Sequence, residues 1–151
     1  YDGDGNLRSW WNDADKKAFE VLGERLAKQY DAYEPIEGLN VNGQLTKGEN
    51  IGDLAGVAIS YQAYVMSLGG KPSQEIDGFT GEQRFFMGHA QAWRSLYRED
   101  RLRSQILSDS HSPSQYRVNG PLVNVDAFYQ AFGVGEGDGM WVKPEDRIVI
   151  W

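Results

Sequence analysis

Apolar side chains recur every three to four residues along four segments of the chain, a spacing typical of amphipathic α-helices. The segments lie at about 13–30, 49–68, 81–98 and 125–132, and a shorter helical piece lies at 101–108. The stretches 1–11, 34–47 and 109–121 are rich in Gly, Asn, Asp, Ser or Pro, which predicts irregular structure. The pattern predicts a mainly α fold with little β structure.

Residues at the ends of these segments mark where the helices begin and end. Asn12 or the residue after it can cap the first helix, and Asn124 can cap the fourth. Thr80 and Gln83 have the T-x-x-Q spacing of a capping box before the third helix. Gly133 is the glycine expected just after the fourth helix.

Length and charge narrow the class of protein. A chain of 151 residues has the size of one ordinary domain, so we predict a single domain over 1–151. The 15 basic and 22 acidic residues give a net charge of −7, which disfavours nucleic acid and anionic membranes as partners. No apolar run is long enough to span a membrane. The absence of Cys excludes disulfides and thiolate metal sites.

Two acids stand four residues apart in the stretch "TKGENIGDLAG", at Glu49 and Asp53. That spacing puts both carboxylates on one face of a helix, where like charges repel. One explanation is a preference for negative charge at a helix start. The other is a metal site, since a carboxylate is an oxygen ligand for zinc and a divalent cation would offset the repulsion. The spacing by itself favours the first explanation.

The segment "SDSHSPSQYR" holds His111, with Asp109 two residues before it and Arg117 six residues after it. An imidazole beside an acid is readily held in one tautomer or kept protonated, and such a group could donate a hydrogen bond to an oxyanion. The Arg117 guanidinium could bind a peptide carbonyl or carboxylate. The alternative is an ordinary polar loop.

The stretch "DGDGN", residues 2–6, resembles the opening of a calcium-binding loop. The sixth loop position should be Gly and is Leu7, and the twelfth should be Glu and is Asp13. We therefore interpret it as a turn, and calcium binding remains a minor alternative.

Four motifs together resemble the C-terminal catalytic region of the neprilysin and endothelin-converting-enzyme family of zinc metallopeptidases. They are, in chain order, "GENIGDLAGV", "FFMGHAQAW", "SDSHSPSQYRVNGPLVNVDAFYQAFG" and the terminal "IVIW". The resemblance covers essentially the whole chain. It implies the helical C-terminal part of a thermolysin-like catalytic domain, and a parent protein that uses zinc to hydrolyse peptide bonds in oligopeptides.

The resemblance also implies roles for individual residues. Glu49 matches the third zinc ligand, and Asp53 matches the acid that hydrogen-bonds a ligating His. His111 matches the histidine that stabilises the tetrahedral intermediate, and Arg117 matches the arginine that binds a substrate backbone carbonyl. Two further residues fall where the family lines the pocket for the substrate residue just after the cleaved bond, and these are Ala92 and Trp93.

The H-E-x-x-H motif, which in the family carries two zinc ligands and the general base, is not in this sequence. We therefore expect a C-terminal fragment that depends on the N-terminal remainder of its protein, binds zinc weakly at most and is inactive alone. The lack of Cys points to a bacterial member, and the family then implies a periplasmic or otherwise extracytoplasmic location. The alternative is a non-catalytic helical module that binds peptides or another protein.

Overall fold

The computed structural model describes residues 1–150, so the final residue of "IVIW" lies outside the described part of the chain. The described helices are α1 (Asp13–Asp31), α2 (Gly43–Ser67), α3 (Gly81–Ala92), α4 (Glu99–Ser108), α5 (Ser114–Leu122), α6 (Asp126–Phe132) and a 3-10 turn, Pro144–Asp146. The β pairing within these residues amounts to two isolated bridges, Ile36 with Leu39 and Ile76 with Phe79. The prediction of a mainly α fold is confirmed, whereas the single domain over 1–151 stays a prediction.

Helix α1 begins where the sequence predicts. The Asn12 side chain accepts a hydrogen bond from the Asp15 backbone N–H at 2.9 Å, which satisfies a donor that has no partner within the helix. Leu26 and Tyr30, from the predicted apolar stripe, are fully buried. The Tyr30 hydroxyl donates to the Tyr116 carbonyl at 3.1 Å and so joins α1 to α5.

Helix α2 begins at Gly43, six residues before the predicted start. Its cap is Asn42, whose side chain accepts from the Leu45 backbone N–H at 3.0 Å. Glu49 and Asp53 therefore lie in the interior of α2 and not in its first turn, which contains no acidic residue. A preference for the helix N-terminus does not account for these two acids, because the effect of the helix dipole fades beyond the first turn.

Helix α3 ends at Ala92, earlier than predicted, while its capping box of Thr80 and Gln83 is confirmed. Trp93 is the C-terminal cap, with its N–H directed at the carbonyls of Ala90 and Gln91. The prediction that Tyr97 extends this helix is wrong. Its hydroxyl instead lies 2.7 Å from Ser114 Oγ at the start of α5.

The prediction of irregular structure over 109–121 is wrong for its second half, which forms α5. Pro113 immediately precedes the helix, where a missing N–H costs nothing, and Pro121 lies at the other end, in the last turn. One proline thus precedes α5 and the other lies inside its last turn, and the sequence pattern did not predict this helix.

Asn124 is not the cap of α6, although Gly133 ends that helix in the left-handed conformation as predicted, with φ 64°. The Asn124 side chain has tertiary partners instead. It donates to Gln29 at 2.9 Å and to the Gly120 carbonyl at 3.0 Å, and it accepts from the Ile148 N–H at 2.9 Å. One buried amide thus joins α1, α5 and the C-terminal segment.

The N-terminal stretch 2–6 is a turn, as predicted. Asp2 Oδ1 accepts from the backbone N–H of Asp4 at 3.0 Å and of Asn6 at 2.9 Å, and the Asp2 carboxylate also pairs with Arg8. Hydrogen bonds from the Asn6 N–H above all, and from Arg8, lower the pKa of this carboxyl. The turn over residues 2–6 is therefore stabilised by contacts between residues close together in the sequence.

The buried core joins α1, α2, α3, α5 and α6. Its members are Leu26, Tyr30, Val41, Leu54, Val57, Phe86, Tyr116, Val118, Leu122, Val125, Phe128, Tyr129 and Ile148. Helix α2 packs against both α1 and α5, and α3 packs against α6. Across residues 1–150, the structure contains no helix with the length and apolarity needed to cross a membrane.

Replacing Gly43 by Ala is expected to destabilise the fold. A Cβ there would lie 1.9 Å from the Ala27 backbone carbonyl oxygen, so α1 and α2 would have to separate. We expect a loss of about 1–3 kcal/mol in the free energy of unfolding, measured by urea titration followed by circular dichroism. The control is Gly48→Ala in the same helix, where a Cβ meets nothing within 4 Å and should stabilise slightly. Equal effects of the two substitutions would contradict this close approach.

Candidate active site

The site is organised around the Arg117 guanidinium, which projects from α5 and is only 15% exposed. Its Nε and Nη2 atoms each donate to one oxygen of the Asp53 carboxylate at 2.7 Å, a bidentate pairing. The guanidinium carbon lies 4.0 Å from the centroid of the Trp93 ring, over its face. Nη2 is also 3.7 Å from Glu49 Oε2. One cation thus joins α2, α3 and α5.

The charge of Arg117 balances the two acids of α2. The hydrogen bonds that the guanidinium donates to Asp53 raise its pKa above the ordinary value. The negative charges of Asp53 and Glu49 also raise this pKa, and partial desolvation lowers it. Arg117 therefore offsets the like-charge repulsion between Glu49 and Asp53 without any metal ion.

His111 lies in the short connection between α4 and α5, with its side chain 45% exposed. Nδ1 is 2.8 Å from Asp109 Oδ1, and the same oxygen accepts from the His111 backbone N–H at 2.9 Å. These contacts lower the pKa of the Asp109 carboxyl, the backbone hydrogen bond more than the side-chain one. With Nδ1 held by Asp109, Nε2 points to Glu49 Oε2 at 3.3 Å.

Five of the six residues singled out in the sequence meet here, and they are Glu49, Asp53, Trp93, His111 and Arg117. Ala92 is not among them. It lies on the exposed side of the last turn of α3 and lines neither of the two open cavities that Trp93 lines. Its role in a substrate pocket stays a prediction.

Asn50 and Ser112 are partners of the site that the sequence reasoning missed. Both are buried, and each directly follows a site residue, Glu49 or His111. A signal for Asn50 was present in the sequence, because it stands one helical turn before the buried Leu54. A polar side chain on an apolar face requires a hydrogen-bonding partner.

An open cavity of about 360 Å³ lies between α2 and α3, beside the Asp53 carboxylate. It is lined by Asp53, Gly56, Val57, Ser60, Phe85, His89 and Trp93. His89 Nε2 is buried there and has no hydrogen-bond partner among the described residues. Buried polar atoms in folded proteins are nearly always paired, so this nitrogen is an exception among the described residues.

The donor atoms of the site fit zinc in part. The Glu49 carboxylate is 45% exposed and offers an oxygen ligand, whereas Asp53 is engaged by Arg117. Over residues 1–150, no group of three or more His, Cys, Asp or Glu side chains is placed to hold a metal ion. This chain can therefore provide one ligand to zinc, and a catalytic site requires three from the protein.

Comparisons with known proteins identify the family of this chain. The sequence model of peptidase family M13 matches residues 1–148. Human endothelin-converting enzyme 1 is 38% identical over 154 aligned residues, which cover 100% of this chain and 20% of the relative. The neutral endopeptidase of Lactobacillus helveticus is 35% identical over 153 residues, covering 100% of this chain and 22% of the relative.

Solved structures show the same fold. The Mycobacterium tuberculosis zinc metalloprotease Zmp1, in complex with an inhibitor, superposes with a TM-score of 0.96 at 47% identity, over 100% of this chain and 24% of that one. PepO from Lactobacillus rhamnosis superposes with a TM-score of 0.83 at 39% identity, over 100% of this chain and 22% of that one. The helices of this chain thus superpose on one region of each of these longer proteins. The chain belongs to peptidase family M13, the family of neprilysin and endothelin-converting enzyme, and it spans about a fifth to a quarter of the length of these relatives.

Replacing Asp53 by Asn should destabilise the chain by about 1–3 kcal/mol, because a largely buried guanidinium would lose its charged partner while the side-chain shape is kept. The free energy of unfolding from urea titration measures this. The control is Arg103→Ala, which breaks the exposed pair with Glu99 and should change stability little. A free energy of unfolding unchanged by Asp53→Asn would show that the pair contributes no net stability.

Proposed function

We propose that this chain is part of a zinc-dependent metalloendopeptidase that hydrolyses oligopeptides, and that it supplies one zinc ligand, an oxyanion donor and a substrate-binding arginine. The observation that carries the proposal is the convergence on one oxygen, Glu49 Oε2, of His111 Nε2 at 3.3 Å and Arg117 Nη2 at 3.7 Å. These three side chains lie close together. A carboxylate can bind a metal ion, and an imidazole and a guanidinium can donate hydrogen bonds, so the group is suited to binding and polarising a peptide carbonyl.

Glu49 would be one of three protein ligands, the other two coming from the remainder of the parent protein. Zinc bound there would polarise the scissile carbonyl and activate a water molecule. The Glu49 carboxylate is suited to this role because it is half exposed at the surface of α2 and its charge is already balanced in part by Arg117.

His111, with both ring nitrogens protonated, would donate a hydrogen bond from Nε2 to the scissile carbonyl oxygen as negative charge develops on it. The contact between Nδ1 and Asp109 fixes the orientation of the ring, so Nε2 is directed to the opposite side. Donors of this kind lower a barrier by about 3–4 kcal/mol. The exposure of the side chain leaves it accessible to a substrate.

Arg117 would bind a substrate backbone carbonyl through Nη1, since Nε and Nη2 are engaged by Asp53. Asp53 therefore positions the arginine. It would also accept from a zinc-ligating His, as the family resemblance implies, since each carboxylate oxygen can accept a second hydrogen bond. The Trp93 ring stacks against the Arg117 guanidinium. It would also contribute to the pocket for the substrate residue after the cleaved bond.

The N-terminal remainder of the parent protein would be the physical partner of this chain. The relatives are four to five times its length by coverage, since it spans 20% of endothelin-converting enzyme 1 and 24% of Zmp1. The cavity between α2 and α3 adjoins Asp53, includes the bare backbone of Gly56, and contains the unpaired His89 Nε2. These features favour contact with another polypeptide segment there.

The absence of Cys and the 47% identity to the mycobacterial enzyme support a bacterial member. A periplasmic or otherwise extracytoplasmic location, which the family resemblance implies, is part of the proposal.

In the parent protein, Glu49→Gln should lower retained zinc and reduce cleavage of a fluorogenic peptide by at least about a hundredfold, since the amide is a poor replacement for a carboxylate ligand. Metal content after dialysis and the rate of cleavage measure the two effects. The control, Glu20→Gln on the exposed side of α1, should alter neither.

Cleavage that survives both a chelator and Glu49→Gln would overturn the proposed function. Tight peptide binding without any hydrolysis by the unmodified parent would support the alternative, a non-catalytic interaction module.

The isolated chain should show no peptidase activity, and mixing it with the separately produced remainder of the parent protein should restore cleavage. Gly56→Leu should block this restoration by filling the α2–α3 cavity, because a Cβ at Gly56 meets nothing within 4 Å and the folded chain itself has room for it. The control is Gly88→Leu, an exposed glycine of α3 outside the cavity. Activity of the chain alone, or equal restoration with both variants, would contradict this arrangement.

A further inference from the structure

A buried hydrogen bond joins α2 to the segment that carries His111. Ser112 Oγ donates to Asn50 Oδ1 at 2.8 Å, and the two residues are 1% and 0% exposed. Asn50 Nδ2 in turn donates to Thr46 Oγ1 at 2.9 Å, and Thr46 donates to the Asn42 carbonyl at 3.0 Å. The chain of hydrogen bonds ends at the residue that caps α2.

The two bonded residues are the immediate neighbours of Glu49 and His111 along the chain. Gln105 of α4 holds the same segment from the other side, with Nε2 3.3 Å from the His111 carbonyl and 3.4 Å from the Ser112 carbonyl. The backbone at His111 is thus held between α4 and α2. Buried hydrogen bonds of this kind rigidify a structure because no water can replace either partner.

The direct contact between Glu49 and His111 is a weaker constraint. Both side chains are 45% exposed, so water competes for their 3.3 Å contact. The bidentate pair of Arg117 with Asp53 also joins this region to α2, but Arg117 stands six residues beyond His111. Beside His111 itself, the Ser112–Asn50 bond is the buried link to α2.

We propose that Asn50 and Ser112 are positioning residues, which set the separation between Glu49 and His111 from beneath the site. The proposal rests on the proposed function, in which these two side chains act on the same peptide bond. Catalysis is sensitive to this kind of geometry, since a misplacement of about 1 Å can cost roughly a hundredfold in rate. Neither residue needs to touch the substrate.

The competing explanation is that the pair only satisfies two buried polar groups. Replacing both residues at once distinguishes a positioning role from a purely structural one. Removing both partners and leaving an apolar side chain of similar shape restores stability, because no polar group stays unpaired. It does not restore a position that the hydrogen bond had set.

The experiment uses the zinc-loaded parent protein and three variants. Ser112→Ala should lower kcat by about ten- to a hundredfold. KM and the affinity for zinc alone, measured by competition with a chelator, should change less than about threefold, because Glu49 stays on an intact α2. The double variant Asn50→Leu with Ser112→Ala should regain the melting temperature lost by Ser112→Ala but keep the low kcat. Ser108→Ala, an exposed serine bonded within α4 to the Ser104 carbonyl, should have no effect.

A kcat of Ser112→Ala within threefold of the unmodified protein, or a kcat that recovers with the melting temperature in the double variant, would overturn the positioning role. If Ser112→Ala does not fold, the double variant carries the test through the same comparison of kcat with melting temperature. Full cleavage by Glu49→Gln would overturn the proposed function and this inference together. Loss of cleavage in Glu49→Gln beside an unchanged kcat in Ser112→Ala would overturn the positioning role alone.

Discussion

The bidentate pair of Arg117 with Asp53 is the interaction on which the site depends. Two acids one turn apart on α2 repel each other, and a largely buried guanidinium without a counter-ion would be costly. Each of these unfavourable features offsets the other when α5 lies against α2. The pair also places the Arg117 fork over Trp93 and directs one nitrogen toward Glu49. The charge balance of the site is therefore a property of the helix packing.

That packing has its own requirements, which lie away from the site. Helix α5 can approach α1 closely because Gly120 has no side chain: a Cβ there would lie 2.2 Å from the Tyr30 hydroxyl oxygen. The same hydroxyl donates to the Tyr116 carbonyl, one residue before Arg117. Burial raises the pKa of Tyr30 far above its ordinary value, so it remains a neutral donor. The position of Arg117 is thus set from α1 as well as from α2.

The sequence predicted those helix ends that depend on hydrogen bonds between residues close together in the chain. The Asn12 cap, the Thr80 capping box and the terminal Gly133 were all predicted, because each depends on backbone groups within a few residues. Asn124 was misassigned because two of its three hydrogen bonds go to residues distant in the chain, Gln29 and Ile148. The site residues came from the family resemblance, and no spacing rule could have paired Asp53 with Arg117, 64 positions away.

The buried and exposed parts of the site divide its tasks. Glu49 and His111 have half-exposed side chains, which in the proposed function are the ones that meet a metal ion and a substrate. Their neighbours Asn50 and Ser112 are sealed from water and hydrogen-bonded to each other. The half-exposed side chains of Glu49 and His111 are held less firmly than the buried pair beside them. The mutual hydrogen bond of this buried pair explains how two polar side chains are accommodated at buried positions, where an unpaired polar group would be costly. It also means that this chain's share of the site is organised by its own contacts, before any contribution from the rest of the protein.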